Sequence, residues 1–274
     1  MNDSQQKKKI VLTHSFKGGT GKTVIATNFA YNFCKKGLKT LIIDADLLAP
    51  SMEKIFPRST KKYKEFRTWT DYLEGKYSNL SEIVYETEYK NLDVVYSPPP
   101  EIGRNFLTEK SSSWWVQALK TCLHDKEDWF NELGYDYIIL DNQNGISMNS
   151  ANNITISDVG FLILRPVTYG VSGTAHLLRE MYSTIQGLRK KRSDYLIWNQ
   201  IPRSEHDDKN NYISEIINEW DKFFIEGGLT PISRIYYDAD LSISMLKQEE
   251  DKLLGTSKDL QKEISRILDQ IKLK

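Results

Sequence analysis

The sequence predicts an α/β fold, a doubly wound and mostly parallel sheet of about seven or eight strands with helices on both faces. Two patterns carry that expectation. Short apolar runs of strand length alternate with longer amphipathic runs of helix length, which is how doubly buried strands and their crossover helices read. A glycine-rich segment, Ser15-Phe16-Lys17-Gly18-Gly19-Thr20-Gly21-Lys22-Thr23, also separates the first apolar run from the first helical one. At 274 residues the chain suits one α/β domain over residues 10–274, preceded by a flexible basic tail over residues 1–9.

The strands expected from apolar runs are Ile10 to His14, Thr40 to Asp44, Leu92 to Tyr96, Tyr137 to Asp141, Val159 to Leu164, Tyr195 to Asn199 and Ile232 to Tyr236. Helical periodicity runs from Val24 to Lys36, closed by Gly37, and then over Trp114 to Leu133, Ser172 to Leu188, Tyr212 to Glu226 and Lys258 to Lys272. Polar stretches at Pro57 to Lys64, Pro98 to Ser113 and Pro202 to Asn211 read as loops.

Lysine plus arginine and aspartate plus glutamate number 37 each, so no global field favours nucleic acid or an anionic membrane. Cys34 and Cys122 are far apart in sequence and form no C-x-x-C, which argues against a disulfide framework, a zinc site or a cysteine-ligated cluster. No apolar run approaches membrane-spanning length, so a cytoplasmic protein is expected.

The glycine-rich segment reads as a phosphate-binding loop. Its glycines let the backbone close around an anion, its N–H groups can converge, and the helix that follows adds a positive dipole end. Lys22 supplies a charge to the β/γ-phosphates and the Thr23 hydroxyl suits Mg²⁺. The strict G-x-x-x-x-G-K-[ST] pattern fails because Phe16 stands where its first glycine belongs, and a second lysine, Lys17, follows.

That pattern resembles the deviant phosphate loop of the ParA/MinD-like ATPases. The resemblance implies ATP and Mg²⁺ as cofactors, with Gly18, Gly19, Thr20, Gly21, Lys22, Thr23 and Val24 around the nucleotide. It also implies a nucleotide-sandwich homodimer in which Lys17 reaches the partner's phosphates. The second strand ends in Asp44-Ala45-Asp46, placing two carboxylates at the edge where such sheets bind ligands. This resembles the family's Asp-x-Asp motif, implying Asp46 for the hydrolytic water and Asp44 for the Mg²⁺ network; the Pro50-Ser51 that follows is similar to its metal-carrier branch. Either aspartate could instead cap the turn after the strand. Asp141 ends an apolar strand as a Walker B carboxylate does, suited to a Mg²⁺-bound water. In the family a proline and then a γ-phosphate-sensing glycine follow; here Asn142-Gln143-Asn144-Gly145 keeps the glycine and loses the proline. Asn199 matches the family asparagine that contacts the base and Pro202 a residue beside the ring, although asparagine is also a common turn residue.

The function implied is a dimerising Mg-ATP switch with slow, partner-stimulated hydrolysis, used in partitioning or positioning DNA, a protein complex or a cellular machine. A membrane-shuttling MinD-like regulator, an ATP-dependent ligase-like enzyme with a pocket near Pro98-Pro99-Pro100-Glu101, and a binding-only pseudo-ATPase are the alternatives. An unidentified activator protein is implied, and no Fe–S cluster. Nonspecific DNA contact would use Arg189-Lys190-Lys191-Arg192 or Lys61-Lys62-Tyr63-Lys64 and would place the protein at the nucleoid. Membrane contact would use the stripe Leu260, Ile264, Ile267, Leu268 and Ile271, which reads better as core because the segment carries Asp259, Glu263 and Asp269 rather than a mainly basic face. Trp114-Trp115 is a candidate docking surface that also reads better as core.

Overall fold

The computed structural model describes residues 8–58, 63–166, 175–188, 191–247, 254–255 and 257–271. Its strands are β1 (Lys9–His14), β2 (Thr40–Ala45), β3 (Tyr85–Glu86), β4 (Leu92–Val95), β5 (Tyr137–Asn142), β6 (Val159–Leu164), β7 (Ser193–Ile201) and β8 (Thr230–Tyr236). They form one sheet in the order β3-β4-β2-β5-β1-β6-β7-β8, parallel throughout except for the antiparallel edge strand β3. β1 lies between β5 and β6, so the chain reverses its winding direction there and opens a crevice at the strands' carboxyl ends.

Alternate strand residues feed two cores. Val11, Ile42 and Ile139 pack against α1 (Lys22–Lys35) and the C-terminal helix, while Ile10, Leu12, Leu41 and Leu140 pack on the other face. The remaining helices are α2 (Met52–Ile55), α3 (Trp69–Leu73), α4 (Pro100–Glu109), α5 (Ser112–Asn131), α6 (Met148–Ile156), α7 (Ala175–Leu188), α8 (Asp207–Glu226), α9 (Ala239–Leu246) and α10 (Lys258–Gln270). Leu260, Ile264, Ile267 and Leu268 of α10 are buried against α1, where Gln261 accepts a 2.7 Å hydrogen bond from Asn32. The stripe is therefore core. No helix among the described residues is long and apolar enough to cross a membrane.

Several boundaries differ from expectation. The Pro98 to Ser113 stretch is no loop, because Pro100 opens α4, where its fixed φ and missing N–H fit a first turn. Gly103 of that helix lies against the Leu47 carbonyl so closely that a Cβ would stand 2.0 Å from the oxygen. Helix α4 thereby props the segment after Asp46. The Pro202 to Asn211 loop is shorter than expected, since α8 begins at Asp207 with Asp207 and Asp208 in its first turn, where carboxylates complement the helix dipole. Helix α1 begins at Lys22 rather than Val24, and Lys9, assigned to the tail, is the first residue of β1. Helix α6 has no sequence signal, being rich in asparagine and serine, which are weak helix formers. Residues 1–7 of the expected tail, and residues 172–174 of an expected helix, lie outside the described residues.

Candidate nucleotide-binding site

Three neighbouring strands build the site in register. Asp44 of β2 pairs with Asp141 of β5, which pairs with Thr13 of β1, so one row at the carboxyl edge carries both carboxylates beside the start of the phosphate loop. The loop leaves β1 at Ser15 and enters α1 through Gly21, whose φ of 85° only glycine adopts easily. Gly19 has φ 75°, and a Cβ there would meet nothing within 4 Å, so this backbone faces open space.

Lys22 lies inward. Its ammonium is 2.8 Å from Asp141 Oδ1 and 3.7 Å from Asp46 Oδ2, and all three side chains are buried. Burial alone would depress the lysine pKa, but the Asp141, Asp46 and Asp44 carboxylates outweigh it and hold the ammonium above its ordinary value. Asp141 Oδ2 accepts the Thr23 hydroxyl at 2.7 Å, and its Oδ1 also accepts from Thr13 at 3.2 Å. The loop's cation, its hydroxyl and the strand carboxylate thus form one connected set.

The two aspartates of the Asp-x-Asp segment are not equivalent. Asp44 Oδ2 accepts the Ser51 and Met52 N–H groups at 2.9 and 3.0 Å, and its Oδ1 accepts that of Asp46 at 3.2 Å. Burial, then the adjacent Asp141 charge, raise its pKa to about 7, against the pull of those amides and Lys22. Asp46 Oδ1 accepts from Leu48 and Ala49 at 3.2 and 2.9 Å, while its other oxygen faces Lys22. Both carboxylates shape the following turn; Asp46 also lines a cavity of about 330 Å³ with Gly19 to Val24, Ser51 and Asn144.

The loop after Asp141 is held by amides in place of the proline. Asn142 Oδ1 accepts from Asn153 Nδ2 at 3.0 Å, and Gln143 Oε1 accepts from Asn149 Nδ2 at 3.0 Å. Asn149 also donates to the Ala45 carbonyl at 3.0 Å, tying this loop to the Asp-x-Asp segment. Gly145, φ 78°, donates its N–H to the Ser15 carbonyl at 2.9 Å, and Ser15 Oγ donates to Asn144 Oδ1 at 2.7 Å.

Sequence reasoning missed His14. Its Nε2 stands 2.9 Å from the Gly145 carbonyl and its Nδ1 3.2 Å from the Tyr182 hydroxyl on α7. Burial lowers its pKa to about 4 despite the favourable Gly145 carbonyl, with Lys22 and Arg192 adding to the depression, so the ring is neutral near pH 7. A carbonyl can only accept, which fixes the proton on Nε2 and makes Tyr182 the donor to Nδ1. A lone histidine at a strand end gave no pattern that could have announced this bridge.

A second cavity, of about 570 Å³, adjoins the first at Gly19, Gly21 and Val24 and is walled by Asn199, Gln200, Arg203 and Tyr236 to Asp238. Asn199, expected to contact the base, lines this cavity and donates its Nδ2 to the Thr20 carbonyl at 2.7 Å. Pro202, expected beside the ring, is exposed and does not line the cavity, whereas Gln200 and Arg203 do.

The expected surfaces fare unevenly. Lys17 is exposed at the loop's outer edge. Arg192 is no surface cation, being 8% exposed with its guanidinium on Asp194 and the Ile154 and Ser157 carbonyls. Arg189, Lys190, Lys61 and Lys62 lie outside the described residues. Trp115 is core and Trp114 packs edge-on against Phe106 with ring centres 5.2 Å apart. Pro100 and Glu101 begin a helix and line neither cavity. Cys34 and Cys122 are buried in different cores, and burial pushes the Cys122 thiol up to about 12.

The residues present fit a Mg-nucleotide. The Thr20 hydroxyl is buried in the loop without a hydrogen-bond partner among the described residues, and the adjoining open glycine backbone leaves room for an anion. Thr23 and Asp141 form the small oxygen donor set that Mg²⁺ accepts when phosphates and water complete its shell.

Comparisons with known proteins agree with this geometry. The family model described as an AAA domain matches residues 7–195. The flagellum site-determining protein YlxH of Helicobacter pylori is 30% identical over 164 residues, which is 60% of this chain and 50% of that protein. The chain spans about half the length of the curated relatives it matches first. A plasmid partition protein from Borrelia burgdorferi superposes with a TM-score of 0.66 at 21% identity, covering 97% of this chain and 98% of that one. The septum site-determining protein MinD from Pyrococcus horikoshii, solved with Mg-ADP, gives a TM-score of 0.66 at 18% identity, covering 97% of each chain. The loop with its two lysines, the three strand-end carboxylates and the sheet order are one arrangement, and the chain belongs to the ParA/MinD-like family of P-loop ATPases.

Proposed function

We propose that this chain is a Mg-ATP-dependent ATPase that dimerises around two nucleotides and serves as a slow, partner-stimulated switch for partitioning or positioning DNA, a protein complex or a cellular machine. The observation that carries the reading is the Lys22–Asp141–Thr23 set, whose lysine and threonine line a cavity that also contains two left-handed glycines. Loop amides and Lys22 bind the β- and γ-phosphates, and the Thr23 hydroxyl and Asp141 hold Mg²⁺. Bound there, the ion neutralises charge building on the phosphoryl oxygens. Asp46, fixed through one oxygen by two amides, orients the attacking water with the other. Asp44, with both oxygens on backbone N–H groups, serves the metal network by holding the turn around Asp46. Lys17 of a second copy stabilises the developing charge across the dimer. The names of the relatives, flagellar and septum siting and plasmid partition, support the positioning role. Such a protein works in the cytoplasm, at the nucleoid where its surface is DNA.

Sedimentation with Mg-ATP against Mg-ADP tests dimerisation, and repeats with duplex DNA and with anionic liposomes separate the positioning surfaces. Turnover that disappears in Asp46→Ala excludes a binding-only protein. A Lys17→Ala chain that dimerises and hydrolyses ATP like the wild type removes the trans-lysine role.

A further inference from the structure

Gln200 combines three unusual features. It has φ 56°, in the left-handed region; the only other described non-glycine residue with positive φ is Asn91, a type that tolerates that conformation. It sits at an irregularity between β7 and β8, where pairing runs to Trp198↔Arg234 and resumes at Ile201↔Tyr236, so Asn199 and Gln200 together oppose one residue. Its side-chain amide donates to the Gly19 carbonyl at 3.0 Å, directly beside the Asn199 bond to the Thr20 carbonyl at 2.7 Å. A Cβ on Gly21 would lie 2.3 Å from Asn199 Nδ2 and 3.3 Å from Gln200 Nε2, so the two amides press on the loop where glycine leaves space.

Peptide geometry turns these contacts into a function. In a trans peptide the C=O and the following N–H point in opposite directions. Holding the Gly19 and Thr20 carbonyls toward β7 therefore turns the Thr20 and Gly21 N–H groups the other way, where an anion in the Gly19 to Val24 cavity would meet them. A straight β7 would carry successive side chains to opposite faces; the bulge and the left-handed residue let two consecutive amides reach the same loop. Backbone strain of this kind persists where the surrounding structure over-determines it.

We infer that Gln200, together with Asn199, is a positioning residue that presets the phosphate loop for the diphosphate of the nucleotide, an inference that rests on the nucleotide-binding reading above. The test measures Mg-ADP affinity by calorimetry, and the melting temperature without nucleotide, for the wild type, Gln200→Gly and Gln200→Ala. Glycine relieves the left-handed strain and removes the clamp. It is expected to leave the melting temperature unchanged or raise it by about 1–3 °C while weakening Mg-ADP binding about three- to tenfold. Alanine, which keeps the strain, is expected to weaken binding by the same factor. The inference falls if Gln200→Gly binds Mg-ADP as tightly as the wild type, or if both variants lose affinity only as they lose stability. A wild-type chain that binds no Mg-ADP removes the nucleotide reading itself and the inference with it.

Discussion

The phosphate loop, Ser15 to Gly21, turns on its own glycines, at φ 75° and 85°, and takes only two side-chain bonds from β7, at the Gly19 and Thr20 carbonyls. The loop beside it, Asn142 to Gly145, has one such glycine and is otherwise held by side chains from elsewhere, with Asn149 and Asn153 of α6 supplying the donors. The two are joined by the Gly145 N–H to Ser15 bond and by His14. A loop that turns on its glycines needs outside bonds only to aim its peptides, whereas one held by an amide network depends on every member being satisfied. Replacing the family's proline with amides thus moves control of the second loop into α6 and the Asp-x-Asp segment.

The largest expected effect comes from Lys22→Ala, which removes the cation from the phosphate loop and strands Asp141 at 0% exposure. It is expected to cost about 3–5 kcal/mol in urea denaturation and to abolish measurable Mg-ADP binding. Adding Asp141→Asn should restore most of the stability and none of the binding. Wild-type stability in the single variant would break the contrast by showing that the buried pair is not coupled.

His14→Gln tests the bridge between the loops through pH. The folded-state pKa of His14 is about 4, below the ordinary value near 6.5, so the unfolded chain takes up a proton that the folded chain refuses. Its neutral-ring stabilisation is complete above about pH 6.5 and is lost as the pH falls toward about 4, amounting to ~3 kcal/mol across that window. The glutamine variant should show a correspondingly flatter profile of urea stability between those pH values. An unchanged profile would mean that the ring is already protonated or solvated.

Asn149→Ala removes two hydrogen bonds, to the Gln143 side chain in the second loop and to the Ala45 carbonyl in the Asp-x-Asp segment, and touches none made to the phosphate loop. A loss of about 1–3 kcal/mol is expected, together with a larger fall in ATP turnover than in Mg-ADP affinity. Equal falls would show that the network serves the phosphate loop as well. The smallest effect on stability belongs to Lys17→Ala, where an exposed side chain should change unfolding by no more than about 0.5 kcal/mol. Its role in trans shows in ATP-dependent dimerisation and turnover rather than in stability.

Legibility in the sequence followed the same division. The strands carrying Asp44, Asp141 and Asn199 stood out because buried parallel strands are continuous apolar runs, and the phosphate loop because its glycines are clustered. Helix α6 did not, since asparagine and serine read as loop until their side chains find Asn142 and Gln143. Arg192 looked like part of a basic surface, and only the fold set Asp194 and two carbonyls around it.

The sequence by itself determined the sheet class, the phosphate loop with its two lysines, and the carboxylates at successive strand ends, because periodicity and glycine spacing are local properties of the chain. Only the tertiary structure decided that Asp44 spends its oxygens on a turn, that Asn199 and Gln200 grip the phosphate loop, and that His14 joins that loop to Gly145 and Tyr182. Those are contacts between side chains and backbone groups brought together from distant parts of the chain. Which donor meets which acceptor there depends on how strands from distant parts of the chain align and on where β7 bulges, and neither is a local property of the sequence.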